Sequence, residues 1–419
     1  MEKAGLKALV LAGGCDQIAL IKELKAKKYE ILLADYLDDP PAKKEADHFF
    51  QISTLDETGI YNLAKRENVN IVITACTDQA LLTAANVSEK LRLPFYLSGK
   101  IAQNVTNKFD MKQKFKENHI PSADYRVLEH ALEEETEALD FCDFPYVVKP
   151  CDCNSSKGVQ KVENLQELKQ AINKAFSLSR SKRVIVERFL DGVEISADIW
   201  IQNSIPQILS VTQTKKMGSH SDLFTIYQSC YPVQMTLEIE KQINEISYKL
   251  CEAFGLKNGP MLVQAIIKEN KVYVLEFSPR IGGGSKYKFI EYMTGVNIMR
   301  LYTDFVVDSP EVKAMPMMSE KLYEMDYIYA YNGTFKTLKG YEELKQHNVI
   351  CEYFQYKKEG AEIHQRNVSG DRIAGVLIEA DTMEELKNKR DTLLHQTEIL
   401  DMEGNDITYR ECFNVRRRK

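Results

Sequence analysis

MLVQAIIKENKVYVLEFSPRIGGGS, residues Met261 to Ser285, contains two apolar runs that meet at the polar tip Glu269-Asn270. Both runs are rich in Val, Ile, Leu, Tyr and Phe, which predicts a β-hairpin. A three-residue loop centred on Asn270 would set Gln264 directly opposite Glu276 on the neighbouring strand. Side chains alternate between the two faces of a strand, and here both alternating sets are largely apolar. We therefore expect the hairpin to lie inside the protein.

Three oxygen-bearing side chains share one face of the predicted hairpin, namely those of Gln264, Glu276 and Ser278. The rest of that face is expected to consist of Ile266, Val272 and Val274. A Glu buried there without a partner would be costly. Mg²⁺ would satisfy it, because this cation takes carboxylate and amide oxygens and usually leaves its other positions to substrate phosphates.

Arg280 and the glycine run after it complete the stretch. The Arg280 guanidinium is a fixed fork that suits phosphate or carboxylate, and Gly282 to Gly284 would let a ligand approach the backbone closely. An ordinary core hairpin in which Glu276 pairs with Arg280 accounts for the same residue types equally well. Residue types alone therefore leave both interpretations open.

Length and composition are those of a globular protein with two or three domains: 419 residues, 44% hydrophobic and 28% charged. No run approaches the roughly 20 apolar residues of a membrane span, and no signal-peptide pattern precedes the first strand, so we expect a cytoplasmic protein with no membrane partner. Nine scattered cysteines are typical of reduced thiols rather than of a disulfide framework. A net charge of −6 argues against nucleic-acid binding.

Residues 1–105 alternate predicted strands and helices, which indicates a parallel, doubly wound sheet in a Rossmann-like domain. The strands are expected in LKALVLAGG, YEILLADY, HFFQIS, NIVITAC and PFYLS. The pair Gly13-Gly14 after the first strand lacks the G-x-G-x-x-G spacing of a dinucleotide site. We therefore predict a Rossmann-like domain here but assign no dinucleotide-binding site to it.

Charged residues in the middle of the chain occur at strand ends, in loops and on a helix. Lys108 begins a basic helix expected over 107–118, and Lys149 lies in the apolar strand FPYVVKP. The small, polar loop Cys151 to Val159 would turn backbone N–H groups toward a phosphate. Glu187 and Glu194 lie in the strands RVIVERFL and GVEISADIW, where two exposed glutamates of a hairpin are the simpler interpretation.

The later part of the chain is predicted in less detail. Residues 213–232, which include His220, are expected to form a loop near the active site, although a lone His in a polar loop is more often simply solvated. One helix is expected over 286–307. Short strands and a helix over about 383–397 predict a small α+β subdomain over 309–419.

The string Glu-Phe-Ser-Pro-Arg at 276–280, with Gln264 twelve residues upstream, resembles the metal-binding signature of the ATP-grasp superfamily, especially of its carbamoyl-phosphate-synthetase and carboxylate-amine-ligase branches. The usual signature is Glu-x-Asn-Pro-Arg, and Ser278 replaces the Asn. This resemblance implies an α/β protein with a Rossmann-like domain at 1–105, an ATP-grasp domain at 106–308 and the α+β subdomain at 309–419. It also implies that Mg²⁺, or Mn²⁺ in its place, is held by Gln264, Glu276 and Ser278.

Further residues match the family's order of nucleotide contacts. The resemblance assigns ATP phosphates to Lys108, Lys149 and the loop residues Ser155, Ser156, Lys157 and Gly158. It assigns the adenine edge to Glu187 and the backbone through Phe189, and the ribose hydroxyls to Glu194, while Gln264 would also contact the nucleotide. Arg280, Lys157 and His220, which lies in a Met-Gly-Ser-His segment similar to that of carbamoyl phosphate synthetases, would act in the reaction.

The reaction implied by this resemblance is ADP-forming: ATP phosphorylates a carboxylate, and an amine attacks the acylphosphate to give an amide. Small-molecule carboxylates and amines are then the expected partners, and a homodimer stays open. Carboxylation or ribosylamine ligation is the alternative within the enzyme class. A nucleotide-binding regulatory protein without turnover is the alternative outside it, favoured by Ser278 and the glycine-poor loop.

Overall fold

The structure, a computed structural model, describes residues 5–129, 143–153, 157–217, 224–308, 314–365 and 368–413. The helices are α1 Cys15–Ala26, α2 Glu57–Arg66, α3 Asp78–Leu91, α4 Gly99–Thr106, α5 Lys108–Glu117, α6 Leu165–Leu178, α7 Leu237–Phe254, α8 Lys286–Thr294, α9 Ile298–Val307, α10 Tyr341–Gln346 and α11 Met383–Gln396. The strands are β1 Lys7–Leu11, β2 Glu30–Asp35, β3 His48–Gln51, β4 Ile71–Ile73, β5 Tyr125–Leu128, β6 Tyr146–Pro150, β7 Gln160–Val162, β8 Val184–Arg188, β9 Val193–Gln202, β10 Ile205–Lys216, β11 Ile226–Tyr231, β12 Gly259–Lys268, β13 Lys271–Ser278, β14 Leu322–Ala330, β15 Gly333–Lys339, β16 Glu352–Gln355, β17 Glu362–Ile363, β18 Ala374–Ala380, β19 Glu398–Asp401 and β20 Thr408–Tyr409. The predicted α/β class is confirmed.

The first sheet is parallel, with the strand order β3-β2-β1-β4. Its strands β1, β2 and β4 are apolar runs buried between helices, as expected for a doubly wound sheet, whereas the edge strand β3 is partly exposed. The strand predicted at PFYLS is wrong, because residues 94–98 form no strand. Tyr96 instead packs its ring edge-on against Tyr302 and donates a hydrogen bond from its hydroxyl to the Pro279 carbonyl, at 2.6 Å.

Two antiparallel sheets that bear on the site follow, beside a three-stranded antiparallel sheet with the order β17-β15-β19. The smaller one has the order β5-β8-β6-β7 and is covered by α6. The larger one has the order β13-β12-β9-β10-β11-β14-β18-β16 and runs without a break across the predicted boundary between residues 308 and 309. The last part of the chain therefore extends the same sheet. The domain limits themselves remain a prediction.

The hairpin at the centre of the sequence is confirmed as β12 and β13, and Gln264 does lie opposite Glu276. The three-residue loop is wrong. Glu269 and Asn270 both have positive φ and form a two-residue turn, and a bulge at Leu275 restores the predicted pairing.

The bulge also corrects the predicted faces of this hairpin. Val272 and Val274 pack in the core on the opposite side from Gln264, because every residue between the turn and the bulge is shifted by one. Tyr273 and Leu275 pack instead beside Ile266. The prediction of Val272 and Val274 on the Gln264 face is therefore wrong.

Two other predicted elements differ in the structure. The helix expected over 286–307 is divided into α8 and α9 by Gly295, whose φ of 72° ends the first helix. Part of the loop expected over 213–232 is strand, because β10 extends through Lys216 and β11 begins at Ile226. Within the described residues no helix is both long and apolar enough to cross a membrane.

Candidate active site

Two cavities lie side by side between the sheets. One, of about 590 Å³, lies between the smaller sheet and the hairpin, and we call it the nucleotide cavity. The other, of about 460 Å³, lies between the hairpin and the carboxyl ends of the first sheet, and we call it the acceptor cavity. They share the residues Lys108, Thr214, Ile226, Gln264 and Glu276.

Lys108 and Glu276 form the junction of the two cavities. The Lys108 Nζ lies 3.3 Å from a Glu276 oxygen and donates to the Cys153 carbonyl at 2.9 Å. Lys108 lowers the pKa of the Glu276 carboxyl, with burial acting the other way, so this carboxyl is ionised at neutral pH. The Glu276 side chain is 42% exposed, contrary to the buried Glu expected, because it faces the cavities.

Two lysines bracket Glu187 in the wall of the nucleotide cavity. Lys149 donates to one carboxylate oxygen at 2.6 Å, and Lys112 of α5 approaches the other to 3.0 Å. Burial acts to raise the pKa of Glu187, but the two lysines outweigh it and lower that pKa to about 2. The Glu187 carboxylate is thus paired with both lysines, and its hydrogen bond with Lys149 orients that lysine at the wall of the cavity.

The other end of the nucleotide cavity is lined by the residues after β8. Phe189 lies under Lys161, whose Nζ is 4.4 Å from the ring centroid, and Glu194 forms an ion pair with Lys216. The Phe189 N–H already donates to the Pro145 carbonyl at 3.0 Å. The next amide, that of Leu190, has no acceptor among the described residues and lines the cavity.

Ser278 and Arg280 face the acceptor cavity and contact an acid that was not among the predicted site residues. Asp78, at the start of α3, accepts hydrogen bonds from Ser278 Oγ at 2.6 Å and from Arg280 Nε and Nη2 at 2.5 and 2.7 Å. Burial raises the pKa of Asp78, but Arg280 and Ser278 outweigh it, so that pKa lies below its ordinary value. Glu276 therefore does not pair with Arg280.

Two more acids lie at or behind the wall of the acceptor cavity and come from different parts of the chain, and of the two only Asp16 lines the cavity. Asp16, in α1, accepts hydrogen bonds from the Gly284 and Ser285 amides at 3.0 and 2.9 Å. Asp198 lies 3.4 Å from the Lys286 Nζ. The glycine run 282–284 is thereby held against the first domain.

The structure brings most of the predicted site residues together, but not all of them. Lys108, Lys149, Glu187, Phe189, Glu194, Gln264 and Glu276 line the nucleotide cavity, and Gln264, Glu276, Ser278 and Arg280 line the acceptor cavity. Lys157 is exposed, and neither it nor Gly158 lines the nucleotide cavity or the acceptor cavity. Ser155, Ser156 and His220 lie outside the described residues.

Asp16 and Asp78 were missed, although a signal for them existed. Asp16 follows β1 and Asp78 follows β4, and these neighbouring strands flank the point where the sheet order reverses. Ligands of open parallel sheets bind outside the carboxyl ends of the strands at such a point. Acids placed just after the first and fourth strands were therefore candidates.

The residues at the junction fit a magnesium ion held jointly with phosphates. Glu276 offers an accessible carboxylate, and Gln264 lies opposite it on β12. No group of three His, Cys, Asp or Glu in the described ranges could bind a metal ion by itself. Mg²⁺ commonly takes one or two carboxylates and completes its shell with water and phosphates, so this sparse set suits it.

Comparison with known proteins agrees with this geometry. A family model described as the ATP-grasp domain matches residues 142–287. The carbamoyl phosphate synthase large chain, C-terminal section, of Aquifex aeolicus is 28% identical over 213 residues, and the match covers 50% of this chain but only 38% of that protein.

Two solved structures share the fold over almost the whole chain. The L-amino acid ligase from Bacillus licheniformis has a TM-score of 0.78 at 20% identity, with 96% of this chain and 100% of that chain covered. The biotin carboxylase domain of the Hydrogenobacter thermophilus 2-oxoglutarate carboxylase, solved with MgADP and bicarbonate, has a TM-score of 0.75 at 16% identity, covering 97% and 92%. The chain therefore carries an ATP-grasp domain, within the fold of the ATP-grasp ligases and carboxylases.

Proposed function

We propose that this protein is an ATP-dependent, ADP-forming ligase that joins a small carboxylate to an amine through an acylphosphate. The observation that supports it is the meeting of the two cavities at Lys108 and Glu276. A nucleotide in one cavity and a carboxylate in the other would bring the terminal phosphate and the attacking oxygen to that junction.

Two features support nucleotide binding: the positive charge of Lys149 and Lys108, and the backbone amide of Leu190 that lines the cavity. Lys149 and Lys108 would bind the phosphates, since charge-assisted contacts of this kind are strong and directional. Glu194 would accept hydrogen bonds from the ribose hydroxyls, and the Leu190 amide would donate to the edge of the adenine. Phe189 and Ile266 would contact the faces of the base.

The metal would be bound by Glu276 and Gln264, and Mn²⁺ would serve in place of Mg²⁺. When bound, it supplies positive charge that neutralises the phosphates as the phosphoryl group moves. Lys108 contributes charge at the same place, because its Nζ points into the junction. Ser278 would contribute only indirectly, since its hydroxyl is bonded to Asp78.

The reaction proposed consists of two successive nucleophilic displacements. A carboxylate oxygen attacks the terminal phosphorus of ATP, the bond to ADP breaks, and an acylphosphate forms. The amine nitrogen then attacks the acyl carbon, phosphate leaves and the amine gives up its proton. Arg280, held rigidly by Asp78, would orient the acyl phosphate through its remaining N–H groups.

Trapping with hydroxylamine tests this proposal. The protein with ATP, Mg²⁺, hydroxylamine and a panel of amino acids and small carboxylates should give a hydroxamate and one ADP for each hydroxamate formed. AMP with pyrophosphate would mean adenylation and would overturn the mechanism. Glu276→Gln should give no hydroxamate, and Glu269→Gln at the exposed tip of the same hairpin is the matched control.

A regulatory protein that binds nucleotide without turnover is the second candidate. One observation favours it: the Ser278 hydroxyl is engaged by Asp78 instead of facing Glu276 as a ligand. Tight nucleotide binding with no ADP release across the whole panel would support this alternative. Release of ADP that depends on the carboxylate would exclude it.

A further inference from the structure

Glu187 shares its carboxylate between two lysines that differ in their access to the nucleotide cavity. Lys149, on β6, lines the cavity, and its side chain is 14% exposed. Lys112, on α5, is only 3% exposed and does not line the cavity. Its Nζ lies 5.9 Å from the ring centroids of Phe115 and Tyr125, and Glu187 is its only ion-pair partner among the described residues. A ligand in the cavity could therefore contact Lys149 but not Lys112.

Neutralisation of Glu187 does not explain why a second lysine is present. Lys149 already donates to this carboxylate at 2.6 Å, and burial of a further ammonium group is costly. Burial lowers the pKa of Lys112, Glu187 acts the other way, and Lys149 lowers that pKa further. The two ammonium groups thus repel each other across a single carboxylate, and the cluster holds a surplus of positive charge.

This surplus is available to a ligand only through Lys149. If Lys149 were the sole partner of Glu187, its movement to a phosphate would leave a buried carboxylate unpaired, which is strongly unfavourable. With Lys112 in place, Glu187 keeps an ion pair at 3.0 Å when Lys149 leaves it. Lys112 therefore lowers the cost of transferring Lys149 to a phosphate.

The position of Lys112 on α5 agrees with such a role. Lys108 and Lys112 are four residues apart, so their side chains leave the helix on the same face. Lys108 lies 3.3 Å from Glu276 on the hairpin, and Lys112 lies 3.0 Å from Glu187 on the smaller sheet. One face of α5 thus supplies a cation to each side of the nucleotide cavity.

We propose that Lys112 is a positioning residue for ATP, which holds Glu187 so that Lys149 is free to bind the phosphates. This inference rests on the nucleotide binding of the proposed function and adds to it a residue that contacts no ligand. Binding of the phosphates then depends on Lys112, whereas binding of the base and the ribose does not. Adenosine and ATP therefore distinguish this role from a purely structural one.

Calorimetric titrations of a non-hydrolysable ATP analogue, and of adenosine by displacement of that analogue, test the proposal. Lys112→Met keeps the length of the side chain and removes its charge. The dissociation constant for the analogue should rise at least about fivefold, while that for adenosine stays within about twofold of the wild type. Lys116→Met, one turn further along α5 and exposed, is the matched control and should bind both ligands normally. Equal losses for the two ligands in Lys112→Met would indicate a structural role and overturn the proposal.

A double-mutant cycle tests whether Lys112 acts through Glu187. Glu187→Gln keeps the shape of the side chain and removes the charge that Lys149 would leave unpaired. In this background, Lys112→Met should change the affinity for the analogue by less than about twofold. The same loss in both backgrounds would mean that Lys112 acts on the phosphates as a distant charge, which contradicts the proposal. If Lys112→Met does not fold by itself, a loss above that limit between Glu187→Gln and the double variant would overturn it.

The outcomes also distinguish this inference from the proposed function. Weaker binding of the analogue in Lys112→Met, with no release of ADP by the wild type on any carboxylate, would support the role of Lys112 and overturn the ligase. Hydroxamate formation by the wild type, with unchanged affinity for the analogue in Lys112→Met, would overturn the inference and leave the ligase intact.

Discussion

Asp78 of the first domain accepts two hydrogen bonds from Arg280 of the central hairpin segment, at 2.5 and 2.7 Å, across a separation of 202 residues. Both oxygens of the carboxylate take part, so the guanidinium has one defined orientation. The matched ATP-grasp domain, residues 142–287, and the N-terminal part of the chain therefore share one ion pair at the floor of the acceptor cavity. Under the proposed function, substrate positioning would depend on both partners of this pair.

Loss of the Asp78 charge should impair catalysis more than nucleotide binding. Asp78→Asn retains the shape of the side chain but breaks the two-point pairing, so we expect kcat to fall at least tenfold while the affinity for ATP is unchanged. Steady-state kinetics and calorimetry measure the two effects. Asp308→Asn, in an exposed pair with Lys27, is the control. Equal losses in ATP affinity and kcat would argue against a role confined to the acceptor cavity.

Removal of the Glu276 charge should abolish turnover without unfolding the protein. Glu276→Gln keeps the volume and loses the carboxylate, and Lys108 loses its partner. We expect kcat to fall by a factor of about 100 or more and the Mg²⁺ concentration needed for half activation to rise, as when a metal ligand is lost. The melting temperature, followed by circular dichroism, should stay within a few degrees of the wild type. Normal ADP formation by this variant would remove Glu276 from the reaction.

Lys149→Ala should weaken ATP binding by about 1 to 3 kcal/mol, the range for a lost charge-assisted contact. The variant leaves Glu187 paired with Lys112, so the wall of the cavity should persist. Calorimetry with a non-hydrolysable ATP analogue measures the change. Lys174→Ala, on the exposed face of α6, should bind the analogue normally. An unchanged affinity in Lys149→Ala would place the phosphates elsewhere.

The ion pairs of Glu187 should make the free energy of unfolding depend on pH in the acid range. Its pKa falls from 4.5 to about 2 on folding. A lowered pKa stabilises the folded state above the unfolded value, and this stabilisation is lost as the pH falls from about 4.5 toward 2. The difference in free energy of unfolding between wild type and Glu187→Gln should therefore shrink over that range in urea titrations. A difference that is constant from pH 7 to pH 3 would contradict the ion pair.

Glu194→Ala should reduce discrimination between ATP and 2′-deoxy-ATP. The carboxylate suits a cis-diol, and a deoxyribose offers only one of the two hydroxyls. We expect the affinity for ATP to fall toward that for the deoxynucleotide, whose own affinity changes less. Competition binding of both nucleotides gives the ratio. An equal loss for both would indicate that Glu194 acts only through its ion pair with Lys216.

The amino-acid sequence by itself determined the hairpin, the order of the charged residues and the presence of an ATP-grasp domain. Apolar alternation and the turn at Glu269-Asn270 are local properties, so β12 and β13 were readable, as was the pairing of Gln264 with Glu276. The parallel first sheet followed from strands separated by helices. These features depend on neighbours within about twenty residues, where backbone periodicity dominates.

Only the tertiary structure decided which charges pair. Asp78 with Arg280, and Lys112 with Glu187, join positions far apart in the chain and leave no periodic signal. The bulge at Leu275 was hidden because one extra residue in a strand changes no composition, yet it moves Val272 and Val274 to the other face. The stacking of Arg372 on Tyr327, with Gly284 beside its guanidinium, likewise joins segments that are far apart in the chain. Charge pairing is a property of three-dimensional neighbours, which a single sequence does not specify.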